Sequence, residues 1–170
     1  MTTTTVITEN NEPVETATLA SDAVLFGKKD GQLYVLLIRR WWEPFTGHLA
    51  VPGGLVGVGE DTEDAARREL EEETGLRVEH LIYVGVYAKP GRDPRGRVVS
   101  FAYTSLLADL PESAAGDDAA TAEWVLVQEA LAPRAQLAFD HRRVITDAMH
   151  KLVSDDAMAK MIGAAGRVAM

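Results

Sequence analysis

The amino-acid sequence predicts an α/β domain. Short apolar runs bounded by turn residues read as strands, two segments with helical signals are interleaved with them, and the composition is that of an ordinary globular chain. With 170 residues the chain can bury a core without disulfides or a structural metal. Hydrophobic residues at 46% and charged residues at 25% argue against wholesale disorder.

Residues 1–15, rich in Thr, Glu and Asn, have little to bury and read as a mobile arm. Residues 16–153 read as the folded domain. Thr16–Phe26 ends in Ala23-Val24-Leu25-Phe26, Gly27–Gly31 reads as a turn, and Leu33–Arg39 as a second strand, together a β-hairpin. Trp41–Gly59 is a glycine- and proline-rich loop with at most a short strand at Leu49–Val51. A helix is expected over Thr62–Thr74, capped by Asp61 or Thr62 and closed by Gly75. Strands follow at 77–88, 97–107 and 123–127, with loops at 89–96 and 109–121. A last helix is expected over His141–Val153, with Val144, Ile145, Ala148, Met149 and Leu152 on one face. The order of the Ala/Gly-rich tail, 154–170, is not decided by its sequence.

The net charge of −9 argues against a domain that wraps nucleic acid by charge. The absence of cysteine excludes disulfides, thiolate zinc sites and a cysteine nucleophile. The longest apolar run, Leu33–Ile38, is far short of the roughly 18 residues of a membrane span. The opening Met-Thr-Thr-Thr-Thr is unlike a secretory signal. A cytoplasmic protein without membrane or nucleic-acid partners is expected.

Chemistry concentrates on the 62–74 helix. Acids in its first turn oppose the helix dipole favourably, but Glu69, Glu72 and Glu73 share one face near the C-terminus, where they repel one another and the dipole works against them. A hard divalent cation would resolve that conflict; a solvated acidic face with Arg68 paired to Glu72 is the alternative. The flexible stretch Val51-Pro52-Gly53-Gly54-Leu55-Val56-Gly57-Val58-Gly59-Glu60 lies immediately before it, and its glycines permit positive φ and close approach of a ligand.

The full spacing, Gly54, five residues, Glu60, seven residues, Arg68-Glu69-Leu70, one residue, Glu72-Glu73, one residue, Gly75-Leu76, resembles the signature of the Nudix hydrolases at every fixed position. The resemblance implies an α/β/α sandwich around a mixed sheet, with a catalytic loop-helix-loop, and hydrolysis of a nucleoside diphosphate linked to another group. It also implies that Glu69, Glu72, Glu73 and the Gly53 carbonyl hold Mg²⁺ or Mn²⁺, that Arg68 orients the glutamates, and that Glu60 is structural. The water's proton would pass to a box glutamate or to a loop acid. Asp117, Asp118, Glu112 and Glu123 compete for that role; Asp118 is favoured by its spacing to Trp124, with Glu69 as fallback.

Arg92-Asp93-Pro94-Arg95 and Leu137-Ala138-Phe139-Asp140-His141 are similar to segments of the ADP-ribose pyrophosphatases within this class and of related regulators of NAD metabolism, and Pro90 resembles a marker of that branch. This implies ADP-ribose as substrate, contacts from Arg40, Arg92, Arg95 and Gly54, and a homodimer. Trp41, Trp42 and Phe45 could stack on a base or pack elsewhere. His141 reads as structural. The alternatives are a sanitising hydrolase for oxidised dNTPs such as 8-oxo-dGTP and a non-catalytic nucleotide sensor.

Overall fold

The computed structural model describes residues 6–7, 12–113 and 119–165. Strand β1 (Val6–Ile7) pairs antiparallel with β2 (Pro13–Val14). The main sheet begins with β3 (Thr18–Lys29) and β4 (Gln32–Arg40), joined at Asp30-Gly31, whose φ values of 51° and 75° suit a tight hairpin. The turn is therefore two residues long, and Gly27 lies inside β3 rather than in the turn. A Cβ there would sit 2.5 Å from the Asp109 carbonyl and the Leu110 side chain, so close packing explains the glycine.

β3 and β4 pair only over Phe26–Lys29 and Gln32–Val35, then part. Into the split run β5 (Leu49–Ala50), paired to β4, and β6 (Gly53–Leu55), paired to β3. Ala23 N–H donates to the Pro52 carbonyl between them at 2.8 Å. The far edge of β3 pairs in parallel with β8 (Val98–Leu107), which pairs antiparallel with β7 (Ile82–Tyr87). β9 (Ala119–Leu126) pairs with β4. The sheet is mixed.

Alternation along β3 makes two cores. Ala23 and Leu25, with Leu36 and Tyr103, bury against Ala66 and Leu70 of α1 (Thr62–Thr74). Val24 and Phe26, with Val35 and Leu37, bury against Val144, Ile145 and Ala148 of α3 (His141–Ala165). The outcome is the α/β/α sandwich. A short helix, α2 (Val127–Ala130), follows β9.

Four elements differ from expectation. The strand expected at 123–127 runs Ala119–Leu126, beginning inside the loop expected at 109–121, because β4 offers it pairing partners from Arg40 to Tyr34. The strand expected at 77–88 is confined to Ile82–Tyr87, because Leu76, Val78 and Leu81 reach the α1-side core from irregular backbone. The last helix runs to Ala165 rather than stopping at Val153, since no glycine or proline interrupts it before Gly163. β6 was not foreseen, because three residues of Gly-Gly-Leu show no periodicity. Among the described residues no helix is long and apolar enough to cross a membrane.

Candidate functional site

α1 is positioned by its ends. The Asp61 side chain accepts from Glu63 N–H at 2.9 Å, and Gly75, at φ 71°, donates its N–H to the Glu71 carbonyl at 2.8 Å. Ala65, Ala66, Leu70 and Thr74 are buried, and the adjoining face carries Glu69 and Glu73 up to β6.

That approach is very close. A Cβ on Gly54 would lie 2.3–2.4 Å from the Glu69 carboxylate, and one on Gly53 would lie 2.4 Å from Asp22 Oδ1. Neither glycine has positive φ; in this stretch only Gly59, at 77°, does. Expected backbone freedom thus gives way to a requirement for space at Gly53 and Gly54.

Gly53 N–H donates to Glu73 Oε2 at 2.9 Å. Burial pushes the Glu73 carboxyl up to about 8, with the charges of Glu69 and Asp22 adding to the shift and the Gly53 N–H and Arg40 opposing it. Burial raises Glu69 as well, against the pull of Arg68.

Arg68 threads the cluster. Its Nε and Nη2 fork onto Glu60 at 2.8 and 3.0 Å, Nη1 donates to Glu69 at 2.7 Å and to Glu72 at 3.1 Å, and Nη2 also reaches the Leu55 carbonyl at 3.0 Å. Glu60 accepts from Gly57 N–H at 2.7 Å besides. The Arg68 guanidinium, helped by that N–H, holds the Glu60 carboxyl down to about 2. Glu60 is therefore spoken for by loop and arginine, while Glu69, Glu72 and Glu73 are the acids left along the helix face.

In this arrangement no three His, Asp or Glu side chains among the described residues converge as a ready-made cation cage, because Glu69 and Glu72 are turned onto Arg68 and Glu73 onto Gly53. The donor set nevertheless fits a hard divalent cation. It offers carboxylate oxygens against glycine main chain, at a point where the absent Cβ of Gly54 leaves the Glu69 carboxylate its space.

Beside the glutamates opens a cleft lined among others by Asp22, Gly54, Arg92, Arg95, Ser100, Phe139 and His141. The arginines expected at the substrate differ in what they are free to do. Arg92 is forked onto Asp140 at 2.6–3.2 Å with its side chain only 5% exposed, so its guanidinium is already committed to holding the 89–97 loop on the start of α3. Arg95 forks onto the buried Asp93 yet stays half exposed. Arg40 donates to the Pro44 and Trp42 carbonyls, and its charge acts on Glu73.

Of the candidate bases, Asp117 and Asp118 lie outside the described residues; Glu123 pairs with Arg39 at 3.0 Å and Glu112 is exposed. His141 is buried, accepting from Val51 N–H on Nδ1 at 3.1 Å, which ties α3 to the segment before the glycines. Trp41 and Trp42 are exposed.

Asp22 was missed by sequence reasoning. It is buried in β3 beside Gly53, accepts from Ser100 Oγ, lines the cleft and acts electrostatically on Glu73. An acid placed immediately before the apolar run Ala23–Phe26 was the available signal.

A family model of the NUDIX domain matches residues 16–148. The chain belongs to the NUDIX domain family. Over 133 residues it is 41% identical to an ADP-ribose pyrophosphatase of Methanocaldococcus jannaschii, covering 77% of this chain and 72% of the relative. The NUDIX domain of Shewanella oneidensis NrtR, solved as a cocrystal with ADP ribose, is similar with a TM-score of 0.75 and 30% identity, over 82% of this chain and 90% of that one. A MutT/nudix family protein of Enterococcus faecalis is similar with a TM-score of 0.74 and 32% identity; the match covers 83% of this chain but only 64% of that one.

Proposed function

We propose that the protein is a metal-dependent Nudix pyrophosphohydrolase that hydrolyses ADP-ribose to AMP and ribose 5-phosphate. The observation that carries this is the packing of Glu69 and Glu73 against Gly53-Gly54, at the edge of a cleft whose other wall presents Arg95. The 41% identity to an ADP-ribose pyrophosphatase supports the substrate.

A divalent cation, Mg²⁺ or Mn²⁺, held by Glu69, Glu72, Glu73 and the Gly53 carbonyl would polarise the diphosphate and lower the pKa of the attacking water. Arg68 keeps Glu69 and Glu72 apart from each other's charge and fixed in direction. Arg95 and Arg40 bind the outer phosphate oxygens. The water oxygen bonds to phosphorus, the anhydride P–O bond breaks, and a carboxylate, Asp118 or else Glu69, takes the proton. Gly54 keeps the main chain close enough to the substrate for that geometry. We further propose a cytoplasmic location and a homodimer, the latter supported by the exposed Trp41 and Trp42.

The test is incubation of the protein with ADP-ribose and Mg²⁺ or Mn²⁺, with chromatographic identification of products. AMP and ribose 5-phosphate in equal amounts, lost on chelation, support the reading. Tight binding of ADP-ribose without turnover would instead favour a sensor, a reading supported by the likeness to the NrtR domain.

A further inference from the structure

Phe139 sits where its residue type is disfavoured. Its φ of 49° places a bulky aromatic residue in the left-handed region, a conformation usually left to glycine or asparagine. Its neighbour in space, Phe45, has φ 68°, and the two rings meet edge to face at 4.9 Å. Strained backbone of this kind persists only where surrounding structure enforces it, and it clusters at active sites and ligand clamps.

The ring is not sealed in the core; it is half-buried and lines the cleft. Two cations stand on it. The guanidinium carbon of Arg40 lies 4.9 Å from the ring centroid and that of Arg95 lies 5.5 Å from it, both within cation–π range. Arg95, from the 89–97 loop, lines the cleft, while Arg40, from the end of β4, stands against the cleft-lining Phe139 ring, and the two repel: the charge of Arg95 adds to burial in lowering the Arg40 pKa. Arg40 donates only to main-chain carbonyls, with Glu73, Asp93 and Glu43 acting on its charge, whereas Arg95 is forked directly onto Asp93. The residue after Phe139, Asp140, is forked to Arg92, which fixes the backbone that carries the ring.

We propose that Phe139 is a positioning residue whose ring holds the guanidiniums of Arg40 and Arg95 together at the cleft as a paired seat for an anionic diphosphate. This rests on the diphosphate reading of the site. The ring's negative face offsets the repulsion between the two cations, and the strained backbone is what points the ring at both. A diphosphate, with oxyanions on two phosphorus atoms, matches two adjacent cations that a single arginine would not.

The experiment replaces Phe139 with phenylalanines carrying one, two and three ring fluorines. These keep shape and packing while draining the π face. Inorganic pyrophosphate affinity is measured by calorimetry and KM and kcat with ADP-ribose, alongside Phe139→Leu and Phe139→Tyr. Stepwise weakening of pyrophosphate binding and a parallel rise in KM are expected, reaching about tenfold at three fluorines. Phe139→Leu should match or exceed that rise, kcat should change less than KM, and Phe139→Tyr should stay near wild type. Pyrophosphate affinity and KM that do not vary across the fluorinated series would overturn the proposal, whatever Phe139→Leu does to folding. Should the wild-type protein fail to hydrolyse ADP-ribose while the pyrophosphate trend persists, the proposed function fails and the paired seat stands. Hydrolysis of ADP-ribose with no trend across the series removes the paired seat and leaves the proposed function standing.

Discussion

Gly54→Ala is a one-carbon change with a large expected effect. The added Cβ would lie 2.3–2.4 Å from the carbon and both oxygens of the Glu69 carboxyl group, about 1 Å short of ordinary contact. Glu69 cannot yield without cost. Its carboxylate is mostly buried and held by Arg68 at 2.7 Å, and Arg68 is itself forked onto Glu60. Overpacking of this kind costs about 1–3 kcal/mol, and each kcal/mol moves Tm by roughly 2–4 °C at this chain length. A 1 Å misplacement of a catalytic group costs on the order of 10²-fold in rate. Thermal melts and steady-state kinetics should therefore show a lower Tm together with a kcat loss near that size. The double variant Gly54→Ala/Glu69→Asp, one methylene shorter, should regain most of the stability and none of the rate. Wild-type kcat in Gly54→Ala would refute the claim that this glycine exists to admit Glu69.

Glu73→Gln should cut kcat by several orders of magnitude. Because the folded-state carboxyl is raised to about 8, the folded state holds a proton that the unfolded chain releases near 4.5, so stability falls as pH rises between those values. The variant should accordingly melt higher than wild type at pH 8 in chelator, and an unchanged Tm there would contradict the buried-charge account. For His141 the sign is reversed: burial lowers its pKa, the unfolded chain binds the extra proton, and stability should drop as pH falls below about 6.5. Because Glu73 acts with the opposite sign over the same range, urea melts at pH 7.5 and 5.5 should show that loss in the Glu73→Gln background, and adding His141→Gln should flatten it. Arg95→Ala should raise KM for ADP-ribose clearly with a smaller change in kcat, and an unmoved KM would reduce the 89–97 loop to a surface turn.

The helix and its box were legible because their signals are local: Asp61 and Gly75 cap the segment, and the glutamate spacing lies within one helix. The alternating Val24/Phe26 and Ala23/Leu25 faces were likewise readable as a strand, though which face met which helix was not. What escaped were consequences of long-range contact. Nothing near Arg92 in sequence predicts Asp140, 48 residues on, as the partner that holds its guanidinium at the cleft. Gly53 and Gly54 were visible as glycines, but their reason, the approach of Asp22 and Glu69, appears only when β6 lies beside β3. Asp22 was hidden for the same reason. The parting of β3 from β4 follows from no run of residues; it is made by the segment 49–55 entering between them.

A site built for a diphosphate flanked by two riboses is tested most directly by kcat/KM for ADP-ribose against 8-oxo-dGTP, unmodified dNTPs, NADH and dinucleoside polyphosphates under one Mg²⁺ condition. ADP-ribose should lead each of them by at least tenfold, about 1.4 kcal/mol of transition-state preference. An oxidised dNTP ahead by the same factor would contradict that reading of the site.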